Sequence, residues 1–418
     1  MAVSDIIHAT HLGAVVVSEE SPFGTTGTER RCFPVSDSCE IMPEQAEIEA
    51  PTMKIRPFDP APPVLGMKSS SAKLSYYLQP AATILSAAAT ADTDATAPLR
   101  VLMRCILGGE SVFAGSDVAT AVSSQSFGVT ATQGDRFPEG QIILVDTANN
   151  GTFIPARVTS RITDDLLVHP YLSATPTVGG DIRNSYTWYV TRTNTKSLSL
   201  GLSTAQDSAR QWRANGLTGG LEISIEKGAL AVASFDLKGT TWTGPSALSI
   251  STSHAADTMA APLACRNATV LLQAKTTTTR VAYAVDSAKV TLRPGNSHVE
   301  ALTGTEGVRG VYRTDGLAEA FADIELVIPY DTDHETWYQA RTELLCMIMI
   351  PFSVSSTSQR YLVIDAPRCI IIGKPKSAKG AGNLDKNTVM LRCLLDDTAT
   401  GTLDNEQLAQ APLRIALA

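Results

Sequence analysis

The densest set of groups able to ligate a cation or move a proton is Asp331, Asp333, His334 and Glu335. Carboxylates and an imidazole this close can hold a divalent cation when a loop folds them inward. The EF-hand spacing and its central glycine are missing, and helix capping accounts for the same residues. Thr332-Asp333-His334-Glu335 resembles a capping box with Glu335 placed to reach back, and acids in a first helical turn are favoured by the helix dipole. Capping is the preferred reading. The six histidines, including His8 and His11 at i, i+3, show no zinc-ligand spacing. No Gly-x-Ser-x-Gly elbow occurs. The stretch from Gly373 to Gly380 lacks phosphate-cradling spacing, and Pro375 removes a donor. It reads first as an exposed hairpin loop, and the alternative is a basic tip whose Lys374, Lys376 and Lys379 contact an acidic neighbouring subunit. The four tryptophans could stack on a sugar or a base. Trp188 in a strand and Trp337 on a helix read as core, whereas Trp212 and Trp242 border polar turns and fit a subunit interface. No motif calls for a cofactor or a metal, and no enzyme is expected; a two-carboxylate glycosidase is the least favoured alternative.

The elements that would position these residues sit in a 418-residue chain, long enough for two or three domains. Charged residues make up 18%, below the roughly 25% usual in soluble domains, which fits a surface partly covered by other subunits. The net charge of -8, from 42 acids against 34 bases, argues against a protein that grips nucleic acid. Seven widely spaced cysteines, several in apolar runs, read as buried free thiols folded in a reducing cytoplasm. No signal peptide is recognised at the N-terminus, and no apolar run approaches the ~20 residues needed to span a bilayer.

The dominant pattern is period-two alternation, so the expected class is mainly β with a flanking α-helix. Residues 1–65, with Pro51, Pro57, Pro60, Pro62 and Pro63, read as an extended assembly arm whose first twenty residues can be deleted without unfolding the rest. Residues 66–395 read as the β core, with an inserted or duplicated region bounded near 240–290, and residues 396–418 as a weakly patterned tail. Ala81 to Ala89 reads as a short helix, Leu99 to Leu107 as an apolar run, and 109–135 as a long loop. A hairpin is expected around Asn149-Asn150-Gly151, joining Gln141–Asp146 to Thr152–Val158. Leu221-Glu222-Ile223-Ser224-Ile225-Glu226 alternates strictly and returns through Lys227-Gly228 into the strand at 230–239. A similar pattern recurs at 288–292 and 321–328, read as an internal echo of 196–239. The helix beginning at Asp333 is expected to run to about Cys346.

Three stretches carry a resemblance. Lys196-Ser197-Leu198-Ser199-Leu200-Gly201-Leu202, followed by Gln211-Trp212-Arg213-Ala214-Asn215-Gly216, the 221–226 alternation and Phe235-Asp236-Leu237-Lys238-Gly239, resembles the tail tube (major tail) proteins of long-tailed bacteriophages. Glu19-Glu20-Ser21-Pro22-Phe23-Gly24-Thr25 and the passage from Pro62 to Leu78 are similar to their opening segments. The resemblance implies a β-sandwich whose strands join an inner β-barrel in stacked hexameric rings. The rings would polymerise around a tape-measure protein, meet tail terminator and baseplate or tip proteins, and let genome DNA pass without specific binding. The chain would then be a virion protein, assembled in the host cytoplasm and resident in the tail. On that reading Glu222, Ser224, Glu226, Asp323 and Glu325 face the lumen, where carboxylates repel phosphates. Other virion proteins (terminator, distal tail, capsid decoration) and a carbohydrate-binding sandwich are the alternatives.

Overall fold

The computed structural model describes residues 14–32, 39–48, 64–79, 85–86, 98–191, 196–204, 207–246, 263–277, 281–305, 308–313, 321–353, 359–379, 385–397, 399 and 406–417. The chain is mainly β, and its described residues form a 19-stranded antiparallel sheet, a closed six-stranded barrel and a two-stranded hairpin. The large sheet folds back on itself in layers.

The first layer takes eight strands in the order Glu40–Ile48, Val64–Tyr77, Val232–Gly239, the second half of Asp207–Glu226, Ser287–Arg293, Phe321–Pro329, Asp385–Cys393 and Lys376–Lys379. Its alternation is that of a sheet with one face in the core and one in water. Leu221, Ile223 and Ile225 are buried, as are Ala288, Val290 and Leu292 and then Ile324, Leu326 and Ile328, while the residues between them are half-buried or exposed.

The second layer runs Gly108–Ser111, Tyr186–Val190, Arg414–Leu417, Gln359–Ile371, Leu344–Ser353, Thr269–Ala274 and Ala282–Ala284. Its inner strands, Leu344–Ser353, Gln359–Ile371 and Thr269–Ala274, carry near-continuous apolar runs because both faces are covered. Cys346, Ile348 and Ile350 join the core shared with the first layer. Leu345, Met347 and Met349 face the other way and pack with Ile142, Leu144 and Phe153 of the barrel.

The barrel closes through Asp165–His169, Ser126–Val129, Ser116–Ala121, Asp181–Asn184, Ile142–Asp146 and Phe153–Ile162. Phe127, Phe137, Ile143, Val145, Leu166 and Ile182 are among the side chains that fill it. The hairpin expected at Asn149–Gly151 is present, with Val145 opposite Ile154.

Five sequence expectations are corrected or refined. Part of the expected 1–65 arm belongs to the sheet: Ala14–Glu19 pairs with Leu198–Thr204, and Val15, Val16 and Val17 are buried. The Pro-rich residues 51–63 lie outside the described residues, as does most of the helix expected at Ala81 to Ala89. The inserted unit is the barrel at 116–184, well before the boundary expected near 240–290, and strands stand where a loop was expected at 109–135. The tail supplies Arg414–Leu417, a buried strand in the middle of the second layer. Finally, Leu99 to Leu107 is the helix Pro98–Leu107, buried almost all round and tied down by Arg100 to Glu110 at 2.7–2.8 Å. The helix at Asp333 stops at Ala340, where Arg341 turns left-handed (φ 52), and a strand starts at Leu344.

Gln359–Ile371 joins the two layers, its Cys369–Ile371 end pairing with Leu391–Cys393, and Asp207–Glu226 joins the first layer to a smaller set of strands. The first half of Asp207–Glu226 pairs with Leu198–Thr204 and Thr241–Ser246, beside Ala14–Glu19 and Arg30–Cys32. At the bend Gly216 has φ +67, and a Cβ there would lie 2.4 Å from Thr240 Oγ1, so only glycine fits. The buried Glu20 carboxylate accepts hydrogen bonds from the Gly216 and Gly24 amides at 2.8 and 2.9 Å, which fastens the Glu19–Thr25 segment to this bend.

Candidate assembly surface

The polar face of the first layer brings the sequence-singled carboxylates together. Across the ladder Ser75 lies opposite Ser234, Ser234 opposite Glu222, Glu222 opposite Thr291, Thr291 opposite Asp323 and Asp323 opposite Arg392. The next row runs through Ser224, Lys289 and Glu325. Residues directly opposite share a face. Glu222, Ser224, Asp323 and Glu325 therefore share one half-buried surface, with Glu226 exposed at the end of its strand.

That surface is not uniformly acidic. Lys289 meets Glu222 at 3.0 Å, and Arg392 makes two hydrogen bonds to Asp323 at 2.9 and 2.8 Å. Facing strands supply bases opposite the acids, a cross-strand pairing that the alternation within one strand does not reveal. Arg293 and Arg392 also sit over the Phe321 ring at 5.6 and 5.5 Å.

The face ends in two outer strands. Glu40–Ile48 is bonded only to Val64–Tyr77, and Lys376–Lys379 only to Asp385–Cys393, among the described residues. Trp212 and Trp242, the tryptophans expected at an interface, meet beside the first of them. Their ring centroids are 5.7 Å apart, Trp242 Nε1 donates to the Glu44 carbonyl at 3.0 Å, and Lys68 Nζ lies 5.2 Å from the Trp242 ring. Both tryptophans are half-buried. At the opposite strand Lys374 pairs with Glu335 at 3.2 Å, Lys376 is exposed, and Lys379 lies opposite Asp385.

The Asp331–Glu335 cluster is dispersed by its packing. Asp331 accepts from the Asp333 amide at 3.0 Å and from the Tyr283 hydroxyl at 2.7 Å. Thr332 makes no side-chain cap bond, so Asp331 performs the capping that the sequence assigned to its neighbours. The amide bond holds the Asp331 carboxyl below its ordinary pKa. His334 is buried between Tyr283 and Trp337, with Nδ1 3.1 Å from Asn387 Nδ2, and Glu335 points to Lys374. Among the described residues no three His, Cys, Asp or Glu side chains are grouped to hold a metal ion.

Sequence reasoning missed the joint between barrel and second layer. Asp365 accepts from Arg157 of the barrel at 3.1 Å and from Arg414 at 2.9 Å, and Arg414 also donates to the Leu408 and Ala409 carbonyls. A cavity of about 290 Å³ opens beside it, lined by Glu139, Arg157, His169, Tyr171, Lys275 and Asp396 among others. Lys275 is matched to Asp396 at 2.6 Å and Arg157 to Asp365 at 3.1 Å, while the buried Oε2 of Glu139 has no hydrogen-bond partner among the described residues. Burial, reinforced by Arg157, pushes His169 down to about 4. The only signal in the sequence was an arginine inside each of two short apolar stretches. Burial likewise raises the thiols of Cys105, Cys346, Cys369 and Cys393.

No protein-family model matches the chain, and no curated protein matches it.

Proposed function

We propose that the chain is a structural subunit that polymerises with copies of itself, as the tube protein of a long-tailed bacteriophage tail. One observation carries the reading. Among the described residues an eight-stranded antiparallel sheet buries one face of its inner strands, leaves the other face half-buried or exposed, and ends in Glu40–Ile48 on one side and, on the other, in Lys376–Lys379 beside the Cys369–Ile371 segment that joins it to the second layer. Long sheets with open edges are aggregation-prone unless the edges are blocked or have a partner, and closure into a ring removes them. The three-stretch resemblance supplies the kind of assembly: stacked hexameric rings around a tape-measure protein, bounded by terminator and tip proteins, with DNA passing through the lumen.

The test is the assembled state. Purified full-length chain, alone and with a tape-measure partner, should give rings or tubes by negative-stain electron microscopy and a matching fast boundary in sedimentation velocity. A single monomer boundary at high concentration under both conditions would overturn the reading.

A further inference from the structure

We propose that Cys369 and Cys393 form a latent disulfide: reduced in the folded chain, they join under oxidising conditions into a staple across the seam between the two layers. The inference does not depend on the assembly reading.

Position comes first. The seam is the short ladder in which Cys369–Ile371 pairs with Leu391–Cys393, and Cys369 lies directly opposite Cys393. One cysteine belongs to the second layer and the other to the first. Both are free thiols and both side chains enter the core that the layers share, where Cys346 is a third. A bond between Cys369 and Cys393 would therefore tie layer to layer.

Backbone geometry comes second. The Leu394 amide donates to the Arg368 carbonyl directly opposite, and the Ile372 amide to the Met390 carbonyl, each at 2.8 Å. Bonded and non-bonded pairs alternate along an antiparallel ladder. Cys369 and Cys393 follow the bonded pair Arg368 and Leu394, so theirs is a non-bonded position. Opposed Cα atoms at such a position are about 4.5 Å apart, with the side chains at their closest. A disulfide spans roughly 4.4–6.8 Å between Cα atoms. The strands are thus already spaced for the bond, and only a side chain has to turn. Cys369 Sγ donates to the Leu344 carbonyl at 3.4 Å, so it reaches Cys393 by rotating about χ1. Cys346 is a poorer partner. Leu344 is the residue opposite Cys369, which leaves Cys346 on the diagonal. Diagonal neighbours are about 7–8 Å apart, where bridging needs backbone movement.

Chemistry comes third. The thiolate is the attacking species, and burial holds both thiols well above their ordinary pKa. They stay protonated and inert while the seam is closed. Cys393 is the more accessible, at 7% against 0%, and reacts first when its strand end opens. Its thiolate attacks one sulfur of a low-molecular-weight disulfide such as oxidised glutathione. The S–S bond of the small disulfide breaks, and its other half leaves as a thiolate that takes up the proton Cys393 released. Cys369, deprotonated in turn, attacks the Cys393 sulfur of the mixed disulfide and expels the second half, which takes up the proton of Cys369. The two protein thiols are oxidised and the small disulfide is reduced to two thiols. The new bond restricts the unfolded chain between residues 369 and 393 and so favours the folded state.

The experiment uses full-length wild type, Cys346→Ala, Cys369→Ala and Cys393→Ala. Each is refolded from urea in a buffer of reduced and oxidised glutathione. Remaining thiols are alkylated, the chain is digested without reduction, and linked peptides are identified by mass spectrometry. A second arm treats folded wild type with the same buffer and follows the link over time. Wild type and Cys346→Ala should yield the peptide joining Cys369 to Cys393, and the other two variants should lose it. The folded arm should form it more slowly than the refolding arm. Linked wild type should melt a few degrees above reduced wild type, and a phosphine reductant should reverse the shift. The wild-type measurements need no variant to fold. A link from Cys369 to Cys346, or no link between Cys369 and Cys393 after refolding, would overturn the pairing. Linking as fast in the folded arm as in the refolding arm would overturn the protection by burial. Linked protein that melts no higher than reduced protein would overturn the staple.

Discussion

Asp365 sits where the barrel, the second layer and the C-terminal strand meet. Its side chain is fully buried, as is that of Arg414, and Arg157 is nearly so. Burial draws Arg414 down to about 10, and the Asp365 carboxylate offsets part of that loss. A buried pair is modest evidence of stability, but breaking one leaves an uncompensated charge, at about 3–5 kcal/mol. Asp365→Asn should accordingly cost about that much in the first transition of a urea titration. Arg157→Met should cost clearly less, since Arg414 keeps its partner. If the two variants lose the same amount, the network does not work as described. The nearby His169 gives a pH dependence of known sign. Its folded pKa of about 4 lies below the ordinary 6.5, so the unfolded chain takes up the proton first. Its contribution is complete above pH 6.5 and is lost as pH falls towards 4. His334, also lowered by burial, acts in the same direction. Unfolding midpoints measured between pH 7 and pH 4 should fall less in His169→Gln than in wild type.

Single elements show what the sequence could reveal and where contrast failed. Leu221–Glu226 and Phe321–Ile328 were legible because each second residue is large and apolar and its neighbours are polar, so pleat and burial agree. Ser116–Ala121 was not, because Ser, Val, Ala and Thr differ too little in hydrophobicity to mark an inside. Arg414–Leu417 was hidden for the opposite reason: an arginine in a short apolar stretch suggests exposure until Asp365 supplies its counter-charge. The polar-face carboxylates and the tryptophan pair could be chosen by type, but cross-strand partners such as Lys289 and Arg392 depend on register between distant segments. Ala14–Glu19 was misjudged through its prolines downstream, and that correction has a consequence. Its three buried valines each contribute about 1.5–3 kcal/mol by burial, and Glu20 fastens the adjoining loop to Gly216. Deleting residues 1–20 should therefore lower the thermal midpoint or prevent folding outright, measured by circular dichroism. A truncated chain that melts like wild type would show that this strand is an appendage after all.

For the whole molecule the decisive property is the charge of the uncovered face. Glu222 and Asp323 are matched by Lys289 and Arg392, and Asp236 lies opposite Lys73. Such a surface neither attracts phosphates nor repels them strongly, and at physiological salt what remains is screened within about 8 Å. A conduit for DNA needs this absence of adhesion more than it needs negative charge. The prediction concerns the variant carrying Glu222→Lys, Glu226→Lys, Asp323→Lys and Glu325→Lys. Two ion pairs are lost, but both are at least partly exposed and each is worth about 0–1 kcal/mol, so the fold should survive. The face becomes strongly basic, and contacts with phosphate then release counterions. Subunits of the variant should bind short duplex DNA in fluorescence polarisation, with affinity falling steeply as salt rises, while wild-type subunits should not bind at physiological salt. Assembly adds the second readout. If the face turns inward, an amine reagent coupled to a large polymer should label the new lysines in free subunits and fail to reach them in tubes. Equal labelling in both states would place this face on the outside of the assembly, and DNA binding by the wild-type subunit would remove the argument from low adhesion.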